Sequence, residues 1–332
     1  MKKVLVLGGT QFVGRTIVEQ LIESDQYQIT LFNRGKSNPA LFSEIEHIKG
    51  DRLEEQDLEK YTKQKWDVII DASGYWPDSL EKSLHQLKGN VGKYIYISTC
   101  SHYVFDEDSS TPLTEEAEIV VCTTEQSVHR GYETYNERKA ECERVLYKQK
   151  WLDYIIFRSG LIIGEHDPTD RLYYWFYKLQ TQKEILWPNN GVNLLSYSNV
   201  KDLAALVLLA IEKQHSYSIY NASSLNASLA DFMNEAKNMI NKKPNLINAS
   251  PAFLEENNVN QWTDMPLWLN GNFLTVDNNR VIKDFDFEMT SLNKTTKQLI
   301  AYYSYGLNWR APRYGLSKER ELELLNILKT MV

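Results

Sequence analysis

Cysteine is scarce in this sequence, and its positions do not suggest a metal or redox site. The 332 residues include 3 cysteines, Cys100, Cys122 and Cys142, which form neither a Cys-x-x-Cys pair nor a metal-ligand spacing. A sparse, odd set of cysteines is typical of reduced thiols. We therefore expect no disulfide, no metal site and a cytoplasmic location.

Long apolar runs are also missing. A transmembrane helix needs about eighteen or more consecutive apolar residues, and no window of the sequence approaches that length. The apolar run Val4–Leu7 follows two lysines, but it stops at Gly8 and is too short for a signal peptide. We expect no membrane association, and we find no internal repeat or low-complexity linker.

Positive charge is not in excess either. The formal net charge is −7 and the sequence contains no basic tract, which argues against nucleic acid as the main partner. Apolar residues make up 42% and charged residues 24%, as in packed globular proteins. The expected partner is therefore a small-molecule substrate.

Short apolar runs alternate with helical patterns from the first residue onward. This alternation is typical of a parallel sheet covered by helices on both faces, and it predicts an α/β protein with a Rossmann-type doubly wound sheet. The predicted strands are Val4–Leu7, Ile29–Phe32, Val68–Ile70, Tyr94–Ile97 and Tyr154–Phe157.

Beyond Arg158 the alternation loosens and helical patterns dominate. A chain of 332 residues exceeds the usual size of a single core. We predict a dinucleotide-binding domain over residues 1–165, completed by part of 192–225, and a mainly helical substrate region over 166–332. The predicted helices cover about Gln11–Ser24, Thr134–Lys148, Tyr173–Tyr177, a stretch after Val200, Leu229–Ile240, Thr295–Tyr303 and Ser317–Met331.

A glycine-rich turn joins the first predicted strand to the first predicted helix. A helix N-terminus in this context presents unpaired N–H groups to a pyrophosphate. Gly8 and Gly9 permit a tight turn, and Gly14 allows the helix to pack closely on the strand. The residues predicted to bind the dinucleotide here are Gly8, Gly9, Thr10, Gln11, Phe12, Val13 and Gly14.

The end of the second predicted strand lacks the acidic residue that usually accepts the adenosine ribose of NAD. Arg34 offers a planar fork suited to a 2′-phosphate, so the sequence favours NADP(H) over NAD(H). Asp51 is a candidate acceptor for the adenine amino group. The further residues predicted to contact the cofactor are Asn33 and Lys36, and Ala72, Ser73 and Gly74 after a later strand.

Tyr135 and Lys139 lie four residues apart, which places a phenol and an ammonium on one face of a predicted helix. A nearby cation favours the phenolate, so we expect a tyrosine pKa lowered from about 10 towards neutrality. Such a tyrosine can exchange a proton with a carbonyl or an alcohol. The strand end Ser98–Ser101 adds hydroxyl groups at the same edge of the sheet, where ligands bind.

Together these motifs resemble the extended and atypical branches of the short-chain dehydrogenase/reductase superfamily across nearly the whole chain. The resemblance implies that Thr99, Tyr135 and Lys139 are catalytic, that Tyr135 and Lys139 also contact the dinucleotide, and that Ser101 faces the substrate. Gly160 corresponds to a segment beside the nicotinamide. Gln11 replaces the middle glycine of the family's turn, where its side chain crowds the pyrophosphate unless it turns outward or bonds a phosphate oxygen.

The segments Asp167–Arg171 and Met265–Trp268 are similar to a bacterial subgroup labelled isoflavone-reductase-like, epimerase/dehydratase-like or chloroplast stem-loop-binding-protein-like. Arg171 is a candidate anchor for an anionic substrate group, and Trp175 a candidate pocket wall. His166 and the neighbouring aspartates lack the further ligands that a metal shell needs. Extended members of the superfamily often dimerise, so the resemblance allows a homodimer.

Three functions remain open at this stage. The first is an NADP(H)-dependent oxidoreductase that acts on a small carbonyl or alcohol. The second is a sugar-nucleotide epimerase, whereas dehydratases of this type place Asp-Glu where this chain has Cys100 and Ser101. The third is a non-catalytic dinucleotide-binding or RNA-binding relative, which the acidic balance and the intact Thr-Tyr-Lys trio disfavour.

Overall fold

The computed structural model describes residues 1–105, 112–270 and 275–331. Its main feature is a seven-stranded parallel sheet in the order β10-β6-β5-β4-β1-β2-β3. The strands are β1 Lys2–Leu7, β2 Tyr27–Asn33, β3 Glu46–Lys49, β4 Trp66–Asp71, β5 Val91–Thr99, β6 Asp153–Ser159, β7 Leu161–Ile163, β8 Glu184–Pro188, β9 Leu194–Asn199, β10 Ile219–Asn221, β11 Leu225–Ser228 and β12 Asn245–Ala249.

The predicted α/β class and doubly wound sheet are confirmed. Strand β1 is central, with Val4 opposite Ile29 of β2 and Val68 of β4. All three side chains of β1 from Val4 to Val6 are fully buried, as expected for a strand covered on both faces. The strand order reverses between β1 and β4, and the crevice outside the carboxyl ends of strands at such a point is where ligands bind.

Helices cover both faces of this sheet. Helices α1, α7 and α10 bury apolar side chains on one face, and α2, α3 and α5 do so on the other. The helices are α1 Phe12–Ser24, α2 Glu55–Thr62, α3 Pro77–Leu87, α4 Thr124–Val128, α5 Tyr135–Tyr147, α6 Arg171–Thr181, α7 Val200–Glu212, α8 Leu229–Ile240, α9 Pro251–Glu256, α10 Asn279–Phe285, α11 Leu292–Ala301 and α12 Lys318–Thr330.

Most predicted helices match these bounds within a few residues, and α8 matches at both ends. In α1, Ile17 and Leu21 are buried, whereas Ile22 is 44% exposed because it lies beyond the buried stripe.

Two strands of the main sheet were not among those predicted. Strand β3 carries charged and mostly exposed side chains, so it lacks an apolar pattern. Strand β10 has only three residues and pairs with β6 at the sheet edge. Both strands are defined by their pairing with a neighbouring strand. A local sequence pattern does not show such pairing.

The C-terminal half is mainly helical, but it also contains two small sheets that the sequence pattern did not predict. Strands β7, β9 and β11 form a three-stranded sheet, and β8 pairs with β12. These strands and helices α6, α8, α9, α11 and α12 enclose a separate apolar core. Helix α10 belongs instead to the core on one face of the seven-stranded sheet, because Phe285 packs on Phe157 and Tyr220.

None of the helices in the described part of the chain combines the length and the apolar character that crossing a membrane requires.

Candidate functional site

The glycine-rich turn after β1 has the geometry that a close-packed strand-turn-helix unit needs. Gly8 and Gly9 have φ values of 109° and 92°, which residues with a Cβ atom rarely adopt. A Cβ atom on Gly14 would lie 2.7 Å from the backbone nitrogen of Gly9. These glycines therefore let α1 begin directly against the turn, with its free N–H groups at the ligand crevice.

Gln11 replaces the middle glycine of the turn. It is exposed and has extended backbone angles at the N-cap of α1. The next residue, Phe12, has a φ of 38°, which is strained for a side chain with a Cβ atom. The turn accommodates the missing glycine by shifting the unusual dihedral to Phe12, and the residues present fit a dinucleotide.

The end of β2 presents cations to solvent. Arg34 is 56% exposed, with its guanidinium 3.9 Å from a carboxylate oxygen of Asp51, and Lys36 is also exposed. Asn33 instead supports the turn, because its Nδ2 donates to the Gly8 carbonyl at 3.1 Å and its Oδ1 accepts from the Gly35 nitrogen at 2.9 Å. Arg34 and Asp51, both predicted to contact the adenosine half, therefore lie side by side.

A buried ion pair holds the end of β4 in place, and the sequence analysis missed it. Arg52 donates to both carboxylate oxygens of Asp71, at 2.7 and 2.9 Å. Tyr94 donates to the same carboxylate at 2.7 Å, and Asp71 is fully buried. Ser73, one of the predicted cofactor residues, also receives a hydrogen bond from Arg52, at 3.1 Å. In the sequence, the adjacent charges of Asp51 and Arg52 were the feature that could have pointed to Arg52.

Thr99, Ser101 and Asn136 form a chain of hydrogen bonds at the end of β5. The hydroxyls of Thr99 and Ser101 are 2.8 Å apart, and Ser101 donates to Oδ1 of Asn136 at 2.7 Å. Because Ser101 has a single hydroxyl proton, Thr99 is the donor in their contact. Asn136, which the sequence analysis did not select, therefore sets the direction of the Thr99 hydroxyl.

Tyr135 begins α5 beside this chain. It is half-buried, hydrogen-bonds Thr99 and lies with its ring centroid 6.2 Å from that of Tyr75. The expected lowering of its pKa is wrong for the protein without ligands. Burial, helped by Tyr75, raises the pKa of Tyr135 above its ordinary value of about 10. The phenol is therefore protonated at neutral pH.

The Lys139 ammonium is buried one helical turn further along α5. It donates to the Gly74 carbonyl at 2.9 Å, to the Ile97 carbonyl at 2.7 Å and to the Tyr96 hydroxyl at 2.6 Å. Burial lowers the pKa of Lys139 to about 8. All three ammonium protons are therefore engaged by acceptors other than Tyr135.

Of the two predicted substrate residues other than Ser101, one lies near the site and one lies in the core. Arg171 is half-buried, with its Nε 2.9 Å from the Thr169 hydroxyl and its guanidinium 5.1 Å from the Trp262 ring centroid. Its charge acts on Tyr135 and lowers the phenol pKa against the effect of burial. The prediction for Trp175 is wrong. Trp175 is fully buried, and its indole nitrogen donates to the Pro266 carbonyl.

Gly160 follows β6 where no side chain would fit. A Cβ atom there would lie 2.4 Å from the Ser196 carbonyl oxygen. The backbone nitrogen of Gly160 donates to the Ser198 hydroxyl at 3.0 Å. The glycine thus allows β9 to cross close to the end of β6.

His166, Asp167 and Asp170 bond to different partners. Asp167 accepts from Thr169, Asp170 pairs with Arg313, and His166 contacts Arg15 and Tyr302. Within the described ranges, no group of three or more histidine, cysteine, aspartate or glutamate side chains could hold a metal ion.

Comparisons with known proteins agree with the strand-turn-helix geometry. Residues 4–223 match the model of the family described as the NAD dependent epimerase/dehydratase family. The chain is 29% identical over 239 residues to the chloroplast stem-loop binding protein of 41 kDa b of Arabidopsis thaliana. That match covers 67% of this chain and 58% of the relative, so the chain spans little more than half of that relative's length.

A second relative is a sterol-4-alpha-carboxylate 3-dehydrogenase, decarboxylating, of Dictyostelium discoideum. It is 25% identical over 237 residues, which cover 67% of this chain and 71% of the relative.

Solved structures share the fold over almost the full chain. A dTDP-glucose 4,6-dehydratase of Bacillus anthracis, in complex with NAD, has a TM-score of 0.70 at 15% identity, covering 93% of this chain and 98% of that one. A UDP-glucuronic acid 4-epimerase of Bacillus cereus, in complex with UDP-glucuronic acid and NAD, has a TM-score of 0.65 at 15% identity. That match covers 91% of this chain and 100% of the epimerase.

Proposed function

Because the chain belongs to the NAD dependent epimerase/dehydratase family, we propose that it is an oxidoreductase that transfers a hydride between NADP(H) and a small carbonyl or alcohol. The observation that carries this proposal is the grouping of Thr99, Tyr135 and Lys139 at the carboxyl edge of β4 and β5. The nicotinamide supplies or accepts the hydride when it is bound. The residues of this chain provide the proton, orient the substrate oxygen and hold the cofactor.

The proposal assigns a role to each member of the site. Tyr135 is protonated at neutral pH and donates its proton to the substrate oxygen during reduction. The Thr99 hydroxyl would bind the same oxygen by turning its proton from Ser101 to the substrate. Lys139 is held by two backbone carbonyls and Tyr96, and its ammonium would help to hold the ribose of a bound dinucleotide. Gly8–Gly14 would hold the pyrophosphate.

The test is a titration of the purified protein with NADPH and NADH, followed by a screen of carbonyl compounds for loss of NADPH absorbance. We expect NADPH to bind and at least one carbonyl to be reduced. If neither dinucleotide binds, the oxidoreductase proposal fails.

A sugar-nucleotide epimerase is the second candidate, since solved structures with this fold include an epimerase with a sugar nucleotide bound. Dehydration is disfavoured by side-chain chemistry. Cys100 is fully buried, burial raises its pKa far above the usual range, and Ser101 is not a carboxylic acid. An epimerase would convert its sugar nucleotide without net consumption of NADPH, which the same absorbance assay distinguishes.

The NADP preference is proposed from the end of β2. Replacing Arg34 with Ala should weaken NADP⁺ binding about tenfold, because a charged hydrogen bond to the 2′-phosphate is lost. The affinity for NAD⁺, which has no 2′-phosphate, should change by less than about twofold. Isothermal titration calorimetry with both dinucleotides measures this difference.

The control for Arg34 is Arg320→Ala, which removes a partly exposed arginine from α12. It should leave both affinities unchanged. Equal weakening of NADP⁺ and NAD⁺ by Arg34→Ala would show that Arg34 does not read the 2′-phosphate.

Asn136 should act on turnover through Ser101. Asn136→Ala removes the acceptor that orients the Ser101 and Thr99 hydroxyls, and we expect kcat to fall about tenfold, with a smaller change in KM. In a Ser101→Ala background the same substitution should have little further effect, because the connecting hydroxyl is gone. Additive losses in the double variant would contradict the hydrogen-bond chain.

A further inference from the structure

A polar cavity of about 210 Å³ lies beside the glycine-rich turn, on the side of α1. Four segments that are distant in sequence line it. The turn and α1 contribute Gln11, Phe12 and Arg15, and the loop after β2 contributes Asn38. The other lining residues lie between Gly164 and Tyr173 and, in the C-terminal segment, between Tyr302 and Arg313. None of the predicted catalytic residues lines this cavity.

Guanidinium groups dominate its charge. Arg15, Arg310 and Arg313 all line the cavity, against the carboxylates of Asp167 and Asp170. Both carboxylates have local partners. Asp167 accepts from the Thr169 nitrogen and hydroxyl at 2.8 and 2.6 Å.

Asp170 holds the two C-terminal arginines. Its carboxylate is buried and lies 2.9 Å from Nε of Arg313 and 3.9 Å from a terminal nitrogen of Arg310. The Arg313 guanidinium also donates to the Pro168 carbonyl at 2.7 Å. Both arginine side chains remain about half exposed, and each guanidinium has five N–H donors, more than these partners use. Donors therefore remain for a ligand in the cavity.

His166 adds a neutral wall to the cavity. Burial, together with the neighbouring Arg15, lowers the pKa of His166 below its usual value, so the ring is uncharged at neutral pH. Its Nδ1 lies 3.3 Å from the Arg15 guanidinium and 3.2 Å from the Tyr302 hydroxyl. Arg15 also pairs with Glu19, which positions its guanidinium next to the turn.

The size of the cavity limits what it can hold. About 210 Å³ is below the range of roughly 300–1,000 Å³ that encloses a whole drug-sized ligand. A phosphate or diphosphate group fits, and planar guanidinium forks match phosphate oxygens well. Because Gln11 and Phe12 are shared with the dinucleotide turn, the remainder of the ligand would extend into the crevice at the strand ends.

We propose that this cavity is a phosphate-binding subsite, in which Arg310 and Arg313 of the C-terminal segment complete an anion site that begins at the glycine-rich turn. The proposal rests on the proposed function in one respect: the phosphate belongs either to the dinucleotide or to the substrate of hydride transfer. In both cases the C-terminal segment binds the ligand directly.

The test uses inorganic pyrophosphate as the probe and calorimetry on the full chain. Pyrophosphate should bind the wild-type protein, and Arg310→Gln should weaken its binding about tenfold. Arg310 is the first choice because its ion pair is long, whereas Arg313 also supports buried Asp170. Arg313→Lys keeps the charge but loses the fork, and should give a smaller loss. Thermal denaturation verifies that each variant is folded.

Two arms identify the source of the phosphate. If the subsite holds the pyrophosphate of the dinucleotide, saturating NADP⁺ abolishes pyrophosphate binding and Arg310→Gln weakens NADP⁺. If it holds a substrate phosphate, pyrophosphate still binds in the presence of NADP⁺, and Arg310→Gln leaves NADP⁺ affinity unchanged.

Absence of pyrophosphate binding to the wild type, or equal binding to Arg310→Gln and the control Arg320→Gln, would overturn the subsite. Failure of the oxidoreductase proposal is a separate result. It would appear as an absence of dinucleotide binding or turnover while pyrophosphate still binds and responds to Arg310→Gln.

Discussion

Tyr135→Phe should lower kcat by about 100- to 10,000-fold, the range that a positioned proton donor contributes. The substitution removes only the hydroxyl, which hydrogen-bonds Thr99. Dinucleotide affinity should change much less than kcat, because the turn at Gly8–Gly14 and the Lys139 ammonium are untouched. Turnover of a substrate identified by the NADPH absorbance screen measures the loss.

Tyr132→Phe is the matched control. Tyr132 lies three residues before Tyr135 and is 93% exposed, so removal of its hydroxyl should leave kcat unchanged. Undiminished turnover in Tyr135→Phe would mean that another group supplies the proton, and the proposed role of the Thr-Tyr-Lys trio would be abandoned.

The raised pKa of Tyr135 affects the rates of reduction and of oxidation differently. Burial keeps the phenol protonated at neutral pH, which is the form that reduction needs. Oxidation needs the phenolate. The rate of the chemical step of oxidation should therefore increase as the pH rises. The rate of the chemical step of reduction should not increase.

Glu143→Gln should lower the free energy of unfolding by about 3–5 kcal/mol, the usual effect of removing one partner from a buried ion pair. Glu143 is fully buried and Arg158 is 2% exposed. The Arg158 guanidinium donates to Glu143 Oε2 at 2.6 Å, and also to the Tyr103 hydroxyl at 2.8 Å. The amide would leave a buried guanidinium without a compensating charge. Chemical denaturation at neutral pH measures the loss.

The difference in the free energy of unfolding between wild type and Glu143→Gln should depend on pH. Burial raises the pKa of Glu143, but His102 and Arg158 offset this effect, and the net pKa lies below the ordinary value of 4.5. A carboxylate with a depressed pKa stabilises the fold above its unfolded pKa and loses that effect as the pH falls. The gap between wild type and Glu143→Gln should therefore narrow below about pH 4.5.

Glu59→Gln provides the comparison for the buried pair. Glu59 pairs with Lys63 on α2, and both side chains are more than half exposed. Its loss should cost at most about 1 kcal/mol. If Glu59→Gln and Glu143→Gln lowered the free energy of unfolding equally, burial would not explain the contribution of Glu143 to stability.

Patterns that repeat over a few residues predicted much of this fold. The strands β1, β2, β4, β5 and β6 were all predicted, because a strand buried on both faces needs a continuous apolar run. The glycines of the turn were equally visible, because positive φ angles and a 2.7 Å approach exclude side chains. Strand β3 escaped prediction because Ile48 is its one apolar residue, and the strand is defined by its pairing with β2.

Pairwise chemistry within the site was less predictable. The four-residue spacing of Tyr135 and Lys139 places them on one helix face, but it does not reveal the acceptors that engage Lys139. Those acceptors lie on β5 and in the segment after β4, 42 to 65 residues away in sequence. Trp175 was misjudged for a similar reason, since an aromatic helix has both a core face and a cavity face and only packing distinguishes them.

The glycine-rich turn, the parallel sheet and the shared helix face of Tyr135 and Lys139 were determined by the sequence itself, because each depends on local periodicity or on the backbone freedom of a few residues. Only the tertiary structure decided the protonated state of Tyr135, the pairing of Arg52 with Asp71, and the convergence of Arg15, Arg310 and Arg313 on one cavity. Burial and charge pairing arise between residues that are far apart along the chain, so they exist only once the sheet, its helices and the C-terminal segment have packed together.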